Sequence, residues 1–406
     1  MANTRKKIFI IAGESSGDLL GSRIMGALQH NNKDVKIDFV GIGGEKMKKH
    51  GLNSIFPMSD LSLMGFFEIL PKVFHLLKRI KQTIKTIIDE KPDLILTIDS
   101  PDFSFKVMKG LKSKDKKLFK NTKKVHLIAP SVWAYREKRA KKIARLYDLL
   151  LCILPFEPPY FEKYGLKTEF IGHPIFDIER NTEKYQKEEL QKKYSIDPDN
   201  PILILTPGSR ETEVDRIYPI MIKSINLLKE EYKYRNATIF TFANSSTQYL
   251  VDFISHDSRF DTKIIIDEEE KQKIMPLANV VLAKSGTNTF EFNIAGVPMV
   301  ITYTFNWLTN KIAKKLVKIR FANLVNILAD REVIPEFVLD NAKPELIVEG
   351  LKNILDDKDI AEKQVKESKN IIKTLGYNSD IKSSEVCAEK ILNLLIKGDN
   401  NEKNNN

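Results

Sequence analysis

Short apolar runs of strand length alternate with longer helical segments along the chain, and no other feature restricts the fold as strongly. The first series of runs covers residues 8–12, 37–41, 94–98, 124–128, 149–154 and 169–171. The second series covers residues 202–206, 238–242, 263–266, 280–283 and 299–302. Because apolar strands separated by helices are typical of parallel sheets with crossover helices, the sequence predicts an α/β protein with two doubly wound, Rossmann-like domains.

The polar stretch at residues 181–200 separates the two series, so we place the domain boundary near residue 190. The predicted domains are residues 1–190 and 191–396, and the last helices could pack back on the first domain. Ligands of such sheets bind beyond the carboxyl ends of the strands, so the two domains are expected to face a cleft. Residues 397–406 lack apolar side chains and are predicted to form a disordered tail.

Composition and charge restrict the possible partners. The net charge of +11 favours anionic ligands such as phosphorylated substrates, anionic lipid or nucleic acid, although Lys and Asn are abundant throughout the chain. Cys152 and Cys387 do not have metal-site spacing and predict no disulfide framework. The basic N-terminus and its short apolar run mimic a signal peptide, but the run is too short and ends at Glu14 and Asp18. The lack of a disulfide framework fits a reducing cytoplasm, where we expect the protein.

A glycine turn that leads into a short helix at residues 285–298 is the most specific local signal. Ser285, Gly286 and Thr287 follow an apolar run, and Glu291 lies one helical turn further on. Backbone N–H groups at such a turn bind phosphate, and a carboxylate one turn on can accept hydrogen bonds from sugar hydroxyls. The pattern resembles the nucleotide-sugar site of two-domain (GT-B) glycosyltransferases, although an ordinary strand–turn–helix connection has the same spacing.

Two other strand ends carry charged residues that suit group transfer. Asp99 closes the run at 94–98 and is predicted to face the cleft, where a carboxylate could remove a proton from an attacking hydroxyl. Glu14 and Asp102 are the alternative bases, and Asp102 also suits a helix cap after a proline. Arg210 follows the strand and turn at 202–208, where a guanidinium could stabilise a departing diphosphate or simply form a loop salt bridge.

Two segments predict contacts with lipid or phosphate. The first is a basic helix beside Trp133 and Tyr135, with the side chains Arg136, Lys138, Arg139, Lys141, Lys142 and Arg145. It could hold a phosphate, an anionic membrane or single-stranded nucleic acid, or it could be a solvated face. The second is residues 64–88, where Phe66, Phe67 and other apolar side chains exceed the needs of one core stripe. Its flanking lysines suit an interfacial membrane element, and a core helix packed on both sides is the alternative.

Nine motifs occur along the chain in one order: AGESSGD, GFFEILPK, DSPDF, PSVWAYREKRAKKIAR, CILPFEPPYFEKYGL, FIGHP, PGSR, KSGTNTFE and LADREVIPE. In this order they resemble the lipid A disaccharide synthase family, glycosyltransferase family 19, over roughly residues 7–390. The resemblance implies a GT-B fold in which the first domain binds the acceptor and the second binds the UDP-sugar. It also implies an inverting transfer from UDP-2,3-diacylglucosamine to 2,3-diacylglucosamine 1-phosphate (lipid X), which yields a β(1→6) tetraacyl disaccharide 1-phosphate and UDP.

The resemblance also implies roles for residues and partners. Asp99, or else Glu14, would be the base, and the residues of the UDP site would be Arg210, Ser285, Gly286, Thr287 and Glu291. The residues that would meet the acceptor phosphate or a membrane are Ser16, Arg136, Lys138, Arg139, Phe66 and Phe67. No metal ion or other cofactor is expected. The expected setting is the cytoplasmic face of a Gram-negative inner membrane, with peripheral attachment, no nucleic acid and a possible homodimer.

Two rival classes follow from the same residues. One is another GT-B nucleotide-sugar enzyme, such as an epimerase or a transferase with a different lipid-linked acceptor. The AGESSGD and PSVWAYR motifs argue against it, because related transferases have a first loop that is richer in glycine. The other is a basic nucleic-acid-binding protein, which would have no use for the SGTNTFE and PGSR segments.

Overall fold

The computed structural model of the protein describes residues 4–30, 35–62, 69–177, 187–305 and 319–403. Contacts between Cα atoms divide the chain into two compact units. Unit 1 contains residues 1–179 and 374–406, and unit 2 contains residues 180–373. The break between Glu179 and Arg180 precedes the boundary that was expected near residue 190, and the chain returns to unit 1 at Thr374.

The sheet of unit 1 has six parallel strands: β1 (Thr4–Ala12), β2 (Val35–Ile42), β3 (Leu94–Ile98), β4 (Lys123–Leu127), β5 (Leu149–Cys152) and β6 (Lys167–Phe170). Their spatial order is β2-β1-β3-β4-β5-β6. The described helices between them are α1 (Ser15–His30), α2 (Glu45–Lys48), α3 (Ser59–Ser62), α4 (Ile69–Glu90), α5 (Pro101–Lys114), α6 (Lys116–Asn121), α7 (Arg139–Ile143) and α8 (Pro158–Glu162). Ile8 and Ile10 are buried in one core cluster and Phe9 and Ile11 in another, so both faces of the sheet are covered.

Unit 2 repeats this architecture. Its strands are β7 (Ile202–Thr206), β8 (Thr238–Phe242), β9 (Thr262–Ile265), β10 (Val280–Lys284), β11 (Met299–Tyr303) and β12 (Glu336–Val338). They form a parallel sheet in the order β12-β11-β10-β7-β8-β9. Its described helices are α9 (Lys187–Lys193), α10 (Glu211–Glu230), α11 (Gln248–Ser255), α12 (Glu268–Ile274), α13 (Thr289–Ala295), α14 (Leu324–Ala329), α15 (Pro344–Asp356) and α16 (Lys358–Lys373).

A last helix, α17 (Ser383–Lys403), completes unit 1 by packing against α1. The buried Asp177 carboxylate accepts hydrogen bonds from the Ser383 N–H at 2.7 Å and the Ser384 N–H at 2.9 Å, which caps the start of α17. Cys387 and Ile391 are buried in the core between α17 and the sheet. The helix continues to Lys403, whereas the sequence predicted disorder from Lys397, because an anchored helix extends at little cost once it is nucleated.

The alternating apolar runs predicted the strands well. Every predicted run overlaps a strand, and the run at 8–12 extends backwards to Thr4. β12 was not predicted, because its three residues are only half-buried and form no apolar run. Among the described helices, none combines the length and the apolar character that crossing a bilayer would require.

Candidate functional site

The strand order of unit 2 reverses between β7 and β10. From β7 the chain builds outward through β8 and β9, and it then crosses to β10 on the opposite side of β7. Thr206 at the end of β7 pairs with Ala283 near the end of β10, so the segments 207–210 and 285–288 leave the sheet side by side. Ligands of doubly wound sheets bind in the crevice at such a reversal point.

A pocket of about 240 Å³ lies at this edge of unit 2. One part of its wall is polar and formed by the two strand-end turns, with Gly208, Ser209, Lys284, Gly286 and Thr287. Another part is apolar and formed by Phe242, Met275 and Phe292. Such a combination suits a ligand with a flat apolar portion and an anionic portion.

The glycine turn after β10 is fixed by hydrogen bonds from its own side chains. The Thr289 hydroxyl donates to the Gly286 carbonyl at 2.7 Å, and the Ser285 hydroxyl donates to the Ala322 carbonyl at 2.8 Å. A Cβ atom at Gly286 would lie 3.2 Å from Asn288 Oδ1, which is tight for any other residue. Gly286, Thr287 and Glu291 line the pocket, while the Ser285 side chain holds the turn from behind.

A partly buried polar network that the sequence did not reveal supports this turn. The Glu336 carboxylate on β12 accepts hydrogen bonds from the Ala322 and Asn323 N–H groups at 2.8 and 2.9 Å. Asn323 in turn lies 3.4 Å from the Thr289 hydroxyl. Burial raises the pKa of Glu336 above its ordinary value. The LADREVIPE motif, which ends at Glu336, therefore acts as a scaffold for the glycine turn.

Arg210 follows the pocket residue Ser209 but is not itself among the residues that line the pocket, and it has an acidic neighbour. Its side chain is 72% exposed, and its guanidinium lies 3.8 Å from Glu213 Oε1. The same carboxylate accepts a hydrogen bond from the Ser209 N–H at 3.2 Å and lies 2.9 Å from Lys284 Nζ. Glu213 and Lys284 were not among the residues predicted for this site, although a lysine that ends an apolar strand is a usable signal.

Unit 1 has its own reversal point, between β1 and β3, where Ala12 pairs with Ile98. Glu14 and Asp99 follow these two strands, as the sequence predicted, and Ser16 is exposed in the first turn of α1. Asp99 is half-buried and Glu14 is exposed. The two loops touch, since a Cβ atom at Gly13 would lie 2.4 Å from Ser100 Oγ.

The basic segment is less helical than the sequence suggested. Only Arg139–Ile143 is helical, because Arg136 has a φ of +57° and ends any continuous helix before Arg139. Arg136 and Lys138 are exposed in the preceding turn. Arg139 is already engaged, with its guanidinium 2.9 Å from Asp102 Oδ1 and 5.4 Å from the centre of the Phe105 ring. Asp102 therefore pairs with the basic segment in this structure.

The carboxylate in the AGESSGD motif has a structural role. Asp18 is 5% exposed and accepts hydrogen bonds from the N–H groups of Gly44, Lys46 and Met47 at 2.8, 3.0 and 3.0 Å. It therefore caps α2, although it lies in the first turn of α1.

Glu157 joins two of the sequence motifs. The Trp133 indole N–H donates to Glu157 Oε1 at 3.2 Å, and the Leu154 N–H donates to Oε2 at 3.1 Å. The residue is 2% exposed, and burial raises the pKa of its carboxyl to about 7. This buried carboxyl fixes the PSVWAYR segment on the loop after β5.

The apolar segment at 64–88 is only partly described, and Phe66 and Phe67 lie outside the described residues. In α4, Ile80 is buried in the core, whereas Phe74 is 69% and Leu77 is 44% exposed. Arg79 is paired with Asp60, with an Nε to Oδ2 distance of 2.7 Å. The predicted apolar excess is thus divided between the core of unit 1 and its surface.

Among the described residues, no group of three or more His, Cys, Asp or Glu side chains is arranged to hold a metal ion. The predicted independence of metal ions stays a prediction.

Sequence comparison matches residues 8–391 to the family model described as lipid-A-disaccharide synthetase. A lipid-A-disaccharide synthase of Rickettsia bellii is 40% identical over 393 residues, which is 97% of this chain and all of the relative. A second, from Rickettsia prowazekii, is 39% identical and covers 95% of this chain and 98% of its own length. These matches confirm the resemblance that the ordered motifs indicated.

Solved structures with the same fold share little sequence with the chain. The structure of S. aureus MnaA with UDP has a TM-score of 0.64 at 13% identity and covers 96% of this chain and 97% of its own. The calicheamicin glycosyltransferase CalG4 has a TM-score of 0.56 at 13% identity, and the match covers 98% of this chain and 99% of CalG4. With the two parallel sheets, these likenesses confirm the predicted GT-B fold class.

Proposed function

Because this chain belongs to the lipid-A-disaccharide synthase family of glycosyltransferases, we propose that it joins two acylated glucosamine units. The donor is UDP-2,3-diacylglucosamine, the acceptor is 2,3-diacylglucosamine 1-phosphate, and the products are the β(1→6) tetraacyl disaccharide 1-phosphate and UDP. The observation that carries this proposal is the pocket at the reversal point of unit 2, where the glycine turn at Gly286 meets the loop at Ser209.

The mechanism that we propose is a direct, inverting displacement. The acceptor hydroxyl attacks the anomeric carbon as the bond to the UDP oxygen breaks, and Asp99 takes the hydroxyl proton. Arg210 and the N–H groups of Gly286 and Thr287 stabilise the negative charge on the leaving diphosphate. Glu291 accepts hydrogen bonds from sugar hydroxyls. One C–O bond forms, one C–O bond breaks, and the proton moves from the acceptor hydroxyl to the Asp99 carboxylate.

The substrates carry acyl chains, so we propose that the protein works at the cytoplasmic surface of the inner membrane of a Gram-negative bacterium. The exposed Phe74 and Leu77 on α4 support a shallow, peripheral contact with lipid. Arg136 and Lys138, both exposed, are the candidates for the acceptor phosphate or for anionic headgroups. A homodimer remains a prediction.

The test is to incubate the purified protein with both lipid substrates and to measure disaccharide and UDP. We expect both products in equal amounts, and none from either substrate alone. Release of UDP without disaccharide, or conversion of the UDP-sugar to an isomer in the absence of acceptor, would instead favour another nucleotide-sugar enzyme. Products formed only with a different lipid-linked acceptor would reassign the acceptor and leave the donor in place.

The same assay run in EDTA tests the leaving-group mechanism. We expect activity to be retained, because Arg210 and backbone N–H groups are proposed to stabilise the diphosphate without a metal ion. Complete loss of activity in EDTA, restored by magnesium, would contradict this mechanism.

A further inference from the structure

A partly buried ion pair lies beside the polar end of the unit 2 pocket. Lys284 Nζ lies 2.9 Å from Glu213 Oε1, and the two side chains are 18% and 11% exposed. Lys284 ends β10 and lines the pocket, whereas Glu213 lies in the first turn of α10. The pair therefore connects the two segments that leave the sheet at its reversal point.

The Glu213 carboxylate is held in place on both oxygens. Oε2 accepts a hydrogen bond from the Ser209 N–H at 3.2 Å, while Oε1 faces Lys284 and lies 3.8 Å from the Arg210 guanidinium. A Cβ atom at Gly208 would lie 2.6 Å from Oε2, so the backbone closes over the carboxylate. Glu213 is thus a fixed negative charge beside the site proposed for a diphosphate.

A fixed carboxylate there would repel an anionic ligand unless a cation compensated it. Lys284 is suitably placed to do so, because an ammonium group has three donors and can serve two acceptors at once. Its Nζ lies 3.5 Å from the position that a Cβ atom would take at Gly286, on the glycine turn that lines the pocket. The Nζ also lies 5.5 Å from the centre of the Tyr303 ring, which limits the freedom of the side chain.

We propose that Lys284 binds the diphosphate of the nucleotide ligand, and that its ammonium compensates the fixed negative charge of Glu213 beside that site. This inference rests on the proposed function of the unit 2 pocket, and it adds two residues to that site. It gives Glu213 no contact with the ligand. The alternative is that the pair only ties α10 to β10, in which case it affects folding and not ligand preference.

Calorimetry with UDP and with uridine separates these roles, because only UDP carries the diphosphate. We expect Lys284→Met to weaken UDP binding at least tenfold and to leave uridine binding within twofold of wild type. Lys284→Arg, which keeps the charge, should bind UDP within tenfold of wild type. Glu213→Gln should bind UDP at least as tightly as wild type, because it removes a negative charge and keeps an acceptor for the Ser209 N–H.

The double variant Lys284→Met/Glu213→Gln gives the sharpest result. It should bind UDP more tightly than Lys284→Met alone, since no uncompensated carboxylate then faces the diphosphate. Lys352→Met is the matched control, because Lys352 pairs with Glu231 at 2.7 Å in the same unit and away from the pocket lining. It should bind UDP like wild type.

Three outcomes would overturn the inference. Equal losses for UDP and uridine in Lys284→Met would show that the pair is structural. Weakening by Glu213→Gln to the level of Lys284→Met would show that Glu213 is needed for binding. Unchanged UDP binding in Lys284→Met would remove the lysine from the site. If the wild-type protein binds no UDP, the proposed function fails together with this inference, and that result is distinct from the other three.

Discussion

Asp99 and Ser100 have backbone conformations that are costly for side-chain-bearing residues. Their φ angles are +49° and +44°, and they occur in succession between β3 and α5. Left-handed backbone at a residue other than glycine costs about 1–3 kcal/mol and persists only where the surroundings enforce it. The enforcing contacts are visible, since the Asp99 N–H donates to the Leu127 carbonyl and the Ser104 hydroxyl donates to the Asp99 carbonyl. Such strain at a reversal point of the sheet is typical of a residue positioned for function.

Asp99→Asn tests its role as the base. The amide keeps the size and polarity of the side chain but cannot take a proton, so turnover should fall at least about 100-fold. UDP binding in the other unit should be unchanged by calorimetry. Asp102→Asn is the matched control, because it removes only the exposed ion pair with Arg139, and its turnover should stay near that of wild type. Near-normal turnover in Asp99→Asn would move the role to Glu14 or Asp102, or exclude a single base.

Arg210→Ala tests the UDP site at its exposed margin. Loss of a charge-assisted hydrogen bond to the diphosphate should weaken UDP binding by about 1.5–3 kcal/mol, measured by calorimetry. Arg259→Ala is the control, since Arg259 pairs with Glu230 at the opposite end of α10. An unchanged UDP affinity in Arg210→Ala would show that this arginine pairs with Glu213 and does not bind the diphosphate.

At the scale of elements, the spacing of apolar residues predicted the strands, but it did not predict features that depend on contacts between distant residues. The strands are apolar on both faces, so their residues alone identify them. The basic segment was expected to be one helix, and the left-handed backbone at Arg136 shortens it to five residues. The predicted site residues Gly286, Thr287 and Glu291 follow a strand end that the sequence shows directly. Glu213 and Lys284 form a pair across 71 residues, which no local pattern reveals.

The buried Glu157 carboxyl, which accepts a hydrogen bond from the Trp133 indole, should give unit 1 a pH-dependent stability. The pKa of this carboxyl is about 7 in the folded protein against an ordinary 4.5, so folding favours the protonated form. The contribution of Glu157 to the free energy of unfolding is therefore fully present below about pH 4.5. It is lost as the pH rises through about 7, which lowers the free energy of unfolding by up to ~3 kcal/mol. Glu157→Gln does not titrate and should flatten this part of the profile.

The measurement is denaturant unfolding at pH 5 and pH 8, followed by Trp133 fluorescence in a Trp307→Phe background so that unit 1 alone reports. Glu162→Gln, at an exposed position in the same motif, should keep the wild-type pH dependence. An equally steep pH dependence in Glu157→Gln would assign it to another group.

At the scale of the whole molecule, unit 1 is assembled from both ends of the chain. Asp177 caps α17, and Arg23 of α1 donates to the Pro174 carbonyl at 3.2 Å, so three distant segments meet. The core face of α4 carries Ile80 and Ile84, which are 7% and 3% exposed. Phe74 and Leu77, which precede this buried stretch, are 69% and 44% exposed in the described part of unit 1, which supports a contact with something outside the chain.

The proposed contact is with an anionic membrane, and the double variant Phe74→Ser/Leu77→Ser tests it. Each inserted large apolar side chain should contribute about 1.5–3 kcal/mol, and the exposed Lys78 and Lys81 about 1 kcal/mol each at low salt. The variant should therefore sediment less with anionic vesicles and show a higher KM for the lipid substrates, with kcat and UDP affinity unchanged. Phe253→Ser is the control, because Phe253 is equally solvent-facing, at 73% exposed, but lies on α11 in unit 2. Equal loss of sedimentation in both variants would indicate nonspecific adhesion of exposed aromatic side chains. Undiminished sedimentation in the double variant would place the membrane contact elsewhere, and the exposed basic turn at Arg136 and Lys138 would be the next candidate.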